Sequence, residues 1–234
     1  MAKLEKLLSR VTDVLIAVTS QIKQDLRGAG IGINNHWEII HPGVNKVERK
    51  NIVRLNNAQR HLVWIGRFTD IKNPRLAIEI MEILDKSNNL KVSLTMVGDG
   101  ELLSEMKAIA FEKQLPIEFV GWQTDVYPFL QNSDALLLTS KNEGLPIVML
   151  EAASMGIPTF CTDVGGVNAF ITDGITGFLI DQNPELASKY ISSALSNSEV
   201  MRSTDLESSK KYQNGFSMDH FVEAHSKLYK SLVR

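Results

Sequence analysis

Cysteine is nearly missing: Cys161 is the one thiol in 234 residues. No internal disulfide can brace the chain, and such cysteine usage fits a reducing compartment. No apolar run approaches the ~20 residues that cross a bilayer. The opening MAKLEKLLSR lacks the apolar core of a secretory leader. Excess charge is also lacking. Twenty-five basic and 27 acidic residues leave a net charge of −2, without the basic footprint of a nucleic-acid binder. Internal repeats and low-complexity tracts are absent, and 44% hydrophobic with 22% charged residues excludes bulk disorder, collagen and a disulfide scaffold. Five histidines and one cysteine form no HExxH or zinc spacing, so no metal is expected. GxSxG and GxxxxGK[ST] are missing as well. What remains is a cytoplasmic chain with room for one large domain or two small ones.

Charge is unevenly distributed. Residues 1–60 hold ten Lys/Arg and five Asp/Glu, leaving fifteen and twenty-two for residues 61–234. This asymmetry points to a junction near residue 60. Short β-rich apolar runs at 14–18, 38–41, 62–65, 92–97, 117–120, 135–139, 159–161 and 177–180 alternate with helical patterns. Helices are expected over 21–29, 74–86, 101–113 and 146–155, the second with Asn73 as its cap and Pro74 in its first turn. Strands apolar on both faces and alternating with helices predict an α/β fold, a doubly wound, Rossmann-like parallel sheet. Three further helices over 184–195, 199–213 and 218–232 predict a helical C-terminal cap. Residues 46–60, KVERKNIVRLNNAQR, read as a linker. The first 45 residues offer two strands around one helix, too few to bury a sheet alone, and look like the remnant of an amino-terminal domain.

If the six strands from residue 61 take the common order 3-2-1-4-5-6, the first and fourth are neighbours and ligands bind at their carboxyl ends. Topology then brings Arg67, Lys72 and Glu143 to one crevice, where two fixed cations suit a diphosphate. The alternative is that both cations are solvated loop charges. Beyond them, the stretch PIVMLEAASM is apolar nearly all round, hence buried, with Glu151 in its middle. A buried carboxylate needs a partner or a polar cleft; the plainer role is capping a loop. Free N–H groups of Ile147 and Val148 at this helix start can hold an anion, and Gly144 leaves room for approach. Val97-Gly98-Asp99-Gly100 is not a dinucleotide fingerprint, because position 103 is Leu. It reads either as a tight turn or as a ligand loop. Gly165-Gly166 is open to the same two readings. Residues 3–10 make a short basic amphipathic helix, either an ordinary surface helix or a peripheral membrane contact.

The ordered set GRFTDIK, VGDG, FVGW, EGLPIVMLEAASMGIP, VGG and DGITGFLI resembles the carboxyl-terminal half of retaining GT-B glycosyltransferases of family 4. Glu143 and Glu151 match that family's Glu-x7-Glu motif. DVLIAVTSQIKQDLRGAGI and WEIIHPGVN look like the end of the family's first domain. The resemblance implies that residues 61–234 bind a UDP-, GDP- or ADP-sugar donor without metal or cofactor. Arg67 and Lys72 would neutralise the diphosphate, Glu143 would contact the donor sugar, and Glu151 would hold the ribose hydroxyls. Gly98, Asp99, Gly144, Leu145, Ile147 and Val148 would complete the donor site, with backbone at Val120 and Trp122 near the base. The implied acceptor is a saccharide or lipid-linked glycan in cell-surface polysaccharide synthesis, at the inner face of the membrane.

Two departures bear on this. The family's Lys-Gly is Lys72-Asn73 here, and about 100–150 residues of acceptor domain are expected to be missing. This chain is therefore expected to be inactive alone and open to self-association through its amino-terminal segment. The competing readings are a non-enzymatic nucleotide-sugar-binding subunit and an NAD-dependent enzyme, the latter disfavoured by the broken glycine pattern.

Overall fold

The computed structural model describes residues 2–48, 59–87 and 90–233. Most of the expected linker, residues 49–58, lies outside the described residues, and its last two positions already belong to a strand. The amino-terminal unit runs α1 (Ala2–Leu8), β1 (Val14–Ala17), α2 (Ser20–Gly28) and β2 (His36–Ile39). Thr19 starts α2 by accepting the Ile22 N–H at 3.2 Å, as an N-cap threonine should. β1 and β2 pair in parallel, with Val14 opposite His36, so β2 begins two residues before the expected strand. α1 leaves Leu4, Leu7 and Leu8 in solvent, and Val11 just beyond it is also exposed.

The larger unit opens with β3 (Gln59–Ile65), α3 (Pro74–Ser87), β4 (Lys91–Val97), α4 (Leu103–Glu112), β5 (Ile117–Gly121) and α5 (Tyr127–Gln131). It continues with β6 (Ala135–Leu138), α6 (Ile147–Ser154), β7 (Thr159–Thr162), β8 (Phe178–Ile180), α7 (Pro184–Ser196), α8 (Ser198–Gly215) and α9 (Met218–Leu232). Six strands form one sheet in the order β5-β4-β3-β6-β7-β8. Every pairing is parallel, which is the expected doubly wound order.

Strand periodicity explains the layers. Neighbouring residues of β3 point to opposite faces: Leu62 and Trp64 enter one core cluster with α3 and α7 residues. Val63 enters the other with α6 residues and Tyr212 of α8. The expected helical cap therefore divides. α7 is a full member of one layer, and α8 crosses to the other. Residue 44 is stitched to the α8–α9 junction: its carbonyl accepts from the Tyr212 hydroxyl at 2.9 Å and from the Met218 N–H at 3.0 Å.

Two local expectations need correction. Asn73 precedes Pro74, but it lies in the left-handed region (φ 48°) and closes the preceding 3-10 turn. Asparagine is among the few side chains that accept this conformation, so Lys72-Asn73 supplies the bend a glycine would. At the other helix, Pro146 is the N-cap with extended backbone, and α6 starts at Ile147.

Candidate active site

The sheet order brings the loops after β3 and β6 together. The Lys141 N–H donates to the Ile71 carbonyl at 2.8 Å, and Lys141 Nζ meets Asp70 Oδ1 at 2.5 Å on the exposed rim. Deeper in, Lys72 Nζ lies 2.5 Å from Glu143 Oε1, with side chains 31% and 10% exposed. The Ser140 hydroxyl donates to the same oxygen at 2.6 Å, and the Thr162 hydroxyl donates to the Ser140 carbonyl at 2.5 Å. Glu143 is thus a mostly buried carboxylate satisfied from two sides. Below the pair, burial pushes the Cys161 thiol far up, with the Glu143 charge adding to it, so the one cysteine is inert at neutral pH.

Glycines let the loops close. At Gly165 and Gly166 a Cβ would fall 1.9 Å from the Glu143 carbonyl oxygen and 1.7 Å from that of Gly144. The Gly166 N–H donates to the Glu143 carbonyl at 2.9 Å. The glycine pair serves backbone-to-backbone approach, and it fixes the segment that carries Glu143. Gly98 works the same way: a Cβ there would sit 1.9 Å from the Gly66 carbonyl oxygen. Asp99 accepts the Gly100 N–H at 2.7 Å. These two residues hold a tight turn against the β3 loop.

The other expected residues take varied places. Arg67 is on the crevice loop with its side chain in solvent, and no described residue forms an ion pair with it. Leu145 is buried in the core beside α6, so only its backbone can meet a ligand. Ile147 is half exposed, whereas Val148 packs partly against the core; both stand in the first turn of α6, where N–H groups have no intrahelical acceptor. Gly144 faces the amino-terminal unit, with Val18 Cγ2 4.0 Å from where its Cβ would be. The Val120 carbonyl is taken by Gln123 Nε2 at 3.0 Å. Trp122 is 69% exposed after β5.

Glu151 is partly buried on α6, and no described residue hydrogen-bonds or ion-pairs with its carboxylate. Burial raises its carboxyl above the ordinary 4.5, and the nearby Asp125 charge adds to the rise. Burial also raises the Tyr127 phenol, with Glu151 and Asp125 contributing. Desolvation and a like charge thus keep this carboxylate more basic than usual. The folded chain disfavours the ionised form. Glu151 therefore begins to cost stability above pH 4.5, where the unfolded chain ionises first, and the cost is fully present above the raised folded value. Below 4.5 both states hold the proton and the cost vanishes. Glu151→Gln is expected to raise the thermal midpoint at neutral pH and to leave it unchanged near about pH 4. Unchanged or lowered stability at neutral pH, measured by calorimetric scanning, would show that the carboxylate has a structural partner.

Ser140, Thr162, Asp125 and Tyr127 were not among the residues singled out from sequence. Ser140 stands three positions before Glu143, the one local cue; the others meet the site only through the sheet.

Residues 45–211 match the family described as glycosyl transferases group 1. The chain belongs to that family. It is 28% identical over 201 residues to the Escherichia coli UDP-Gal:alpha-D-GlcNAc-diphosphoundecaprenol alpha-1,3-galactosyltransferase, covering 82% of this chain and 51% of the relative. It is 29% identical over 232 residues to the E. coli O-antigen biosynthesis glycosyltransferase WbnH, covering 98% and 62%. Among solved structures, Anabaena HepE in complex with UDP and glucose superposes with a TM-score of 0.85 at 15% identity, covering 98% of this chain and 66% of that one. A TarM variant from S. aureus, solved with Fondaparinux, alpha-GlcNAc-glycerol and UDP, gives 0.84 at 20% identity, covering 94% and 44%. The fold is the Rossmann-like type of the GT-B glycosyltransferases. This group 1 chain spans about half to three-fifths of the length of these two curated relatives. No described helix is long and apolar enough to cross a membrane.

Proposed function

We propose that this chain is the donor-binding part of a retaining, family 4 glycosyltransferase, and that its crevice holds a nucleoside-diphosphate sugar. The observation that carries the reading is the Lys72–Glu143 pair, held mostly out of solvent where the sheet order reverses. An ammonium has three donors, so Lys72 can keep Glu143 and still meet a phosphate oxygen. Arg67 supplies a second cation, and the N–H groups of Ile147 and Val148 face the same end of the sheet. When the bond from anomeric carbon to diphosphate oxygen breaks, its electron pair goes to the diphosphate. Preplaced cations and N–H donors then stabilise the growing charge. On this reading Glu143 holds sugar hydroxyls and Glu151 those of the ribose, with backbone at Val120 to Trp122 near the base.

The donor is a UDP-, GDP- or ADP-sugar, and the acceptor a saccharide or lipid-linked glycan in cell-surface polysaccharide synthesis on the cytoplasmic side of the membrane. Transfer needs both reactants held in line, and beside the donor loops the described chain has a small amino-terminal unit, the two-stranded β1–β2 sheet with α1 and α2. Donor binding is accordingly assigned to this chain and transfer to the completed cleft.

On this reading the diphosphate is held by side-chain cations and helix N–H groups, without a metal. Calorimetric titration with UDP-, GDP- and ADP-sugars in a chelator is expected to show binding of one base class, unchanged by added magnesium. Binding seen only with magnesium would overturn the metal-free site, and no binding in either buffer would overturn the donor reading.

A further inference from the structure

We propose that Thr139, with Trp64 behind it, is the positioning residue that holds Lys72 in place for a diphosphate. The inference rests on the donor reading above. Thr139 follows β6 directly and is fully buried, as is Trp64. Its hydroxyl is a three-way junction. It accepts from Trp64 Nε1 at 3.0 Å, and it faces the Asn73 carbonyl at 2.9 Å and the Lys72 carbonyl at 3.2 Å. A hydroxyl has one proton. With the indole N–H occupying a lone pair, that proton is directed to the two carbonyls.

The bond lands where the loop is least relaxed. Asn73 has φ 48°, a conformation that costs a non-glycine residue energy and persists only where surroundings hold it. The neighbouring Ser140 hydroxyl holds Glu143 Oε1 at 2.6 Å. Two consecutive residues thus secure the two partners of one ion pair: Thr139 fixes the backbone of Lys72, and Ser140 fixes the carboxylate that receives its ammonium. Removing the Thr139 hydroxyl leaves the indole N–H and the loop carbonyls without this partner, in a place water does not reach. The loop then gains freedom, and Lys72 loses its preset position.

Thr139→Val keeps shape and removes the hydroxyl; Thr139→Ser restores it. Each is titrated with whichever of UDP, GDP and ADP binds the unaltered chain, and with the corresponding monophosphate. Lys72 is assigned to the diphosphate, so the ratio of the two affinities reports its placement, whereas general damage to the fold lowers both together. The expected result is a loss of about tenfold in diphosphate affinity for Thr139→Val. Monophosphate affinity should stay within about twofold, and Thr139→Ser should recover the ratio. An unchanged ratio, or an equal fall for both nucleotides, overturns the positioning role. If Thr139→Val does not fold, Trp64→Phe leaves the hydroxyl but removes the group that orients it. It should lower the ratio by about threefold, and an unaltered ratio there overturns the proposal. An unaltered chain that binds both nucleotides equally would instead refute the donor reading on which this rests.

Discussion

Replacing Lys72 by methionine is expected to damage both the fold and nucleotide binding, and a second substitution should separate the two. Glu143 is 10% exposed and Lys72 31%. Without the ammonium, the carboxylate keeps only the Ser140 hydroxyl and must bear its charge largely out of water. Breaking a buried pair by removing one partner typically costs ~3–5 kcal/mol. The partial exposure of Lys72 lets solvent screen the pair, so about 2–3 kcal/mol is expected here. Glu143→Gln in the same chain removes the stranded charge and should restore most of the stability. Nucleoside-diphosphate affinity should not return. Losing a charged hydrogen bond to phosphate corresponds to about 1.5–3 kcal/mol, seen as a roughly 10- to 150-fold weaker titration in both the single and the double variant. Binding that recovers along with the melting temperature would make Lys72 a structural cation and leave the diphosphate to Arg67 and α6.

Gly166→Ala should have an effect of similar size by a different route. Its φ of −88° suits any residue, so backbone strain is not the obstacle. The obstacle is the Gly144 carbonyl oxygen, 1.7 Å from the new Cβ. That oxygen is backbone, and so is the Cα that would carry the new methyl, so relief requires the segment carrying Glu143 to move away from the loop after β7. The Gly166 N–H to Glu143 carbonyl bond, 2.9 Å long, would stretch with it. A loss of about 3 kcal/mol or more in urea unfolding is expected, with at least about tenfold weaker nucleotide binding. Gly174→Ala is the control. Its φ of +70° carries the left-handed cost, but nothing lies within 4 Å of its Cβ. It should lose about 1 kcal/mol and keep full affinity. Normal binding by Gly166→Ala would show that the glycine contact is remote from the ligand.

The architecture was legible in the residues because its causes are local. Runs such as LVWI and ALLL are short, β-rich and apolar on both faces, which suits a covered parallel strand. Their order followed from the general preference of doubly wound sheets. α5 was missed because YPFLQ is one turn and a half, too short for a period. β2 was misplaced because its register with β1 is set by pairing: Trp37, opposite Leu15, is the buried anchor, and it lies before the run that looked strand-like. At the site, sheet order brought Lys72 and Glu143 near each other, and the structure adds that they touch. Thr139 had no signal of its own, and Ser140 only its place three residues before Glu143. Each acts through one hydroxyl, and the carbonyl partners of Thr139 are 66 and 67 residues away in sequence. Glu151 was readable from the cost of a carboxylate on an apolar helix, but its neighbour Asp125 comes from a different loop.

The position of a bound nucleoside diphosphate is tested most directly by amide chemical-shift mapping. The isotopically labelled chain is titrated with the diphosphate that calorimetry selects, in chelator. Saturable shifts are expected at residues 66–73, at 120–122 and at 143–151, including the amides of Ile147 and Val148, with the face of α9 unmoved. Shifts confined to α9 or to the amino-terminal helix, with residues 66–73 and 143–151 silent, would contradict the account.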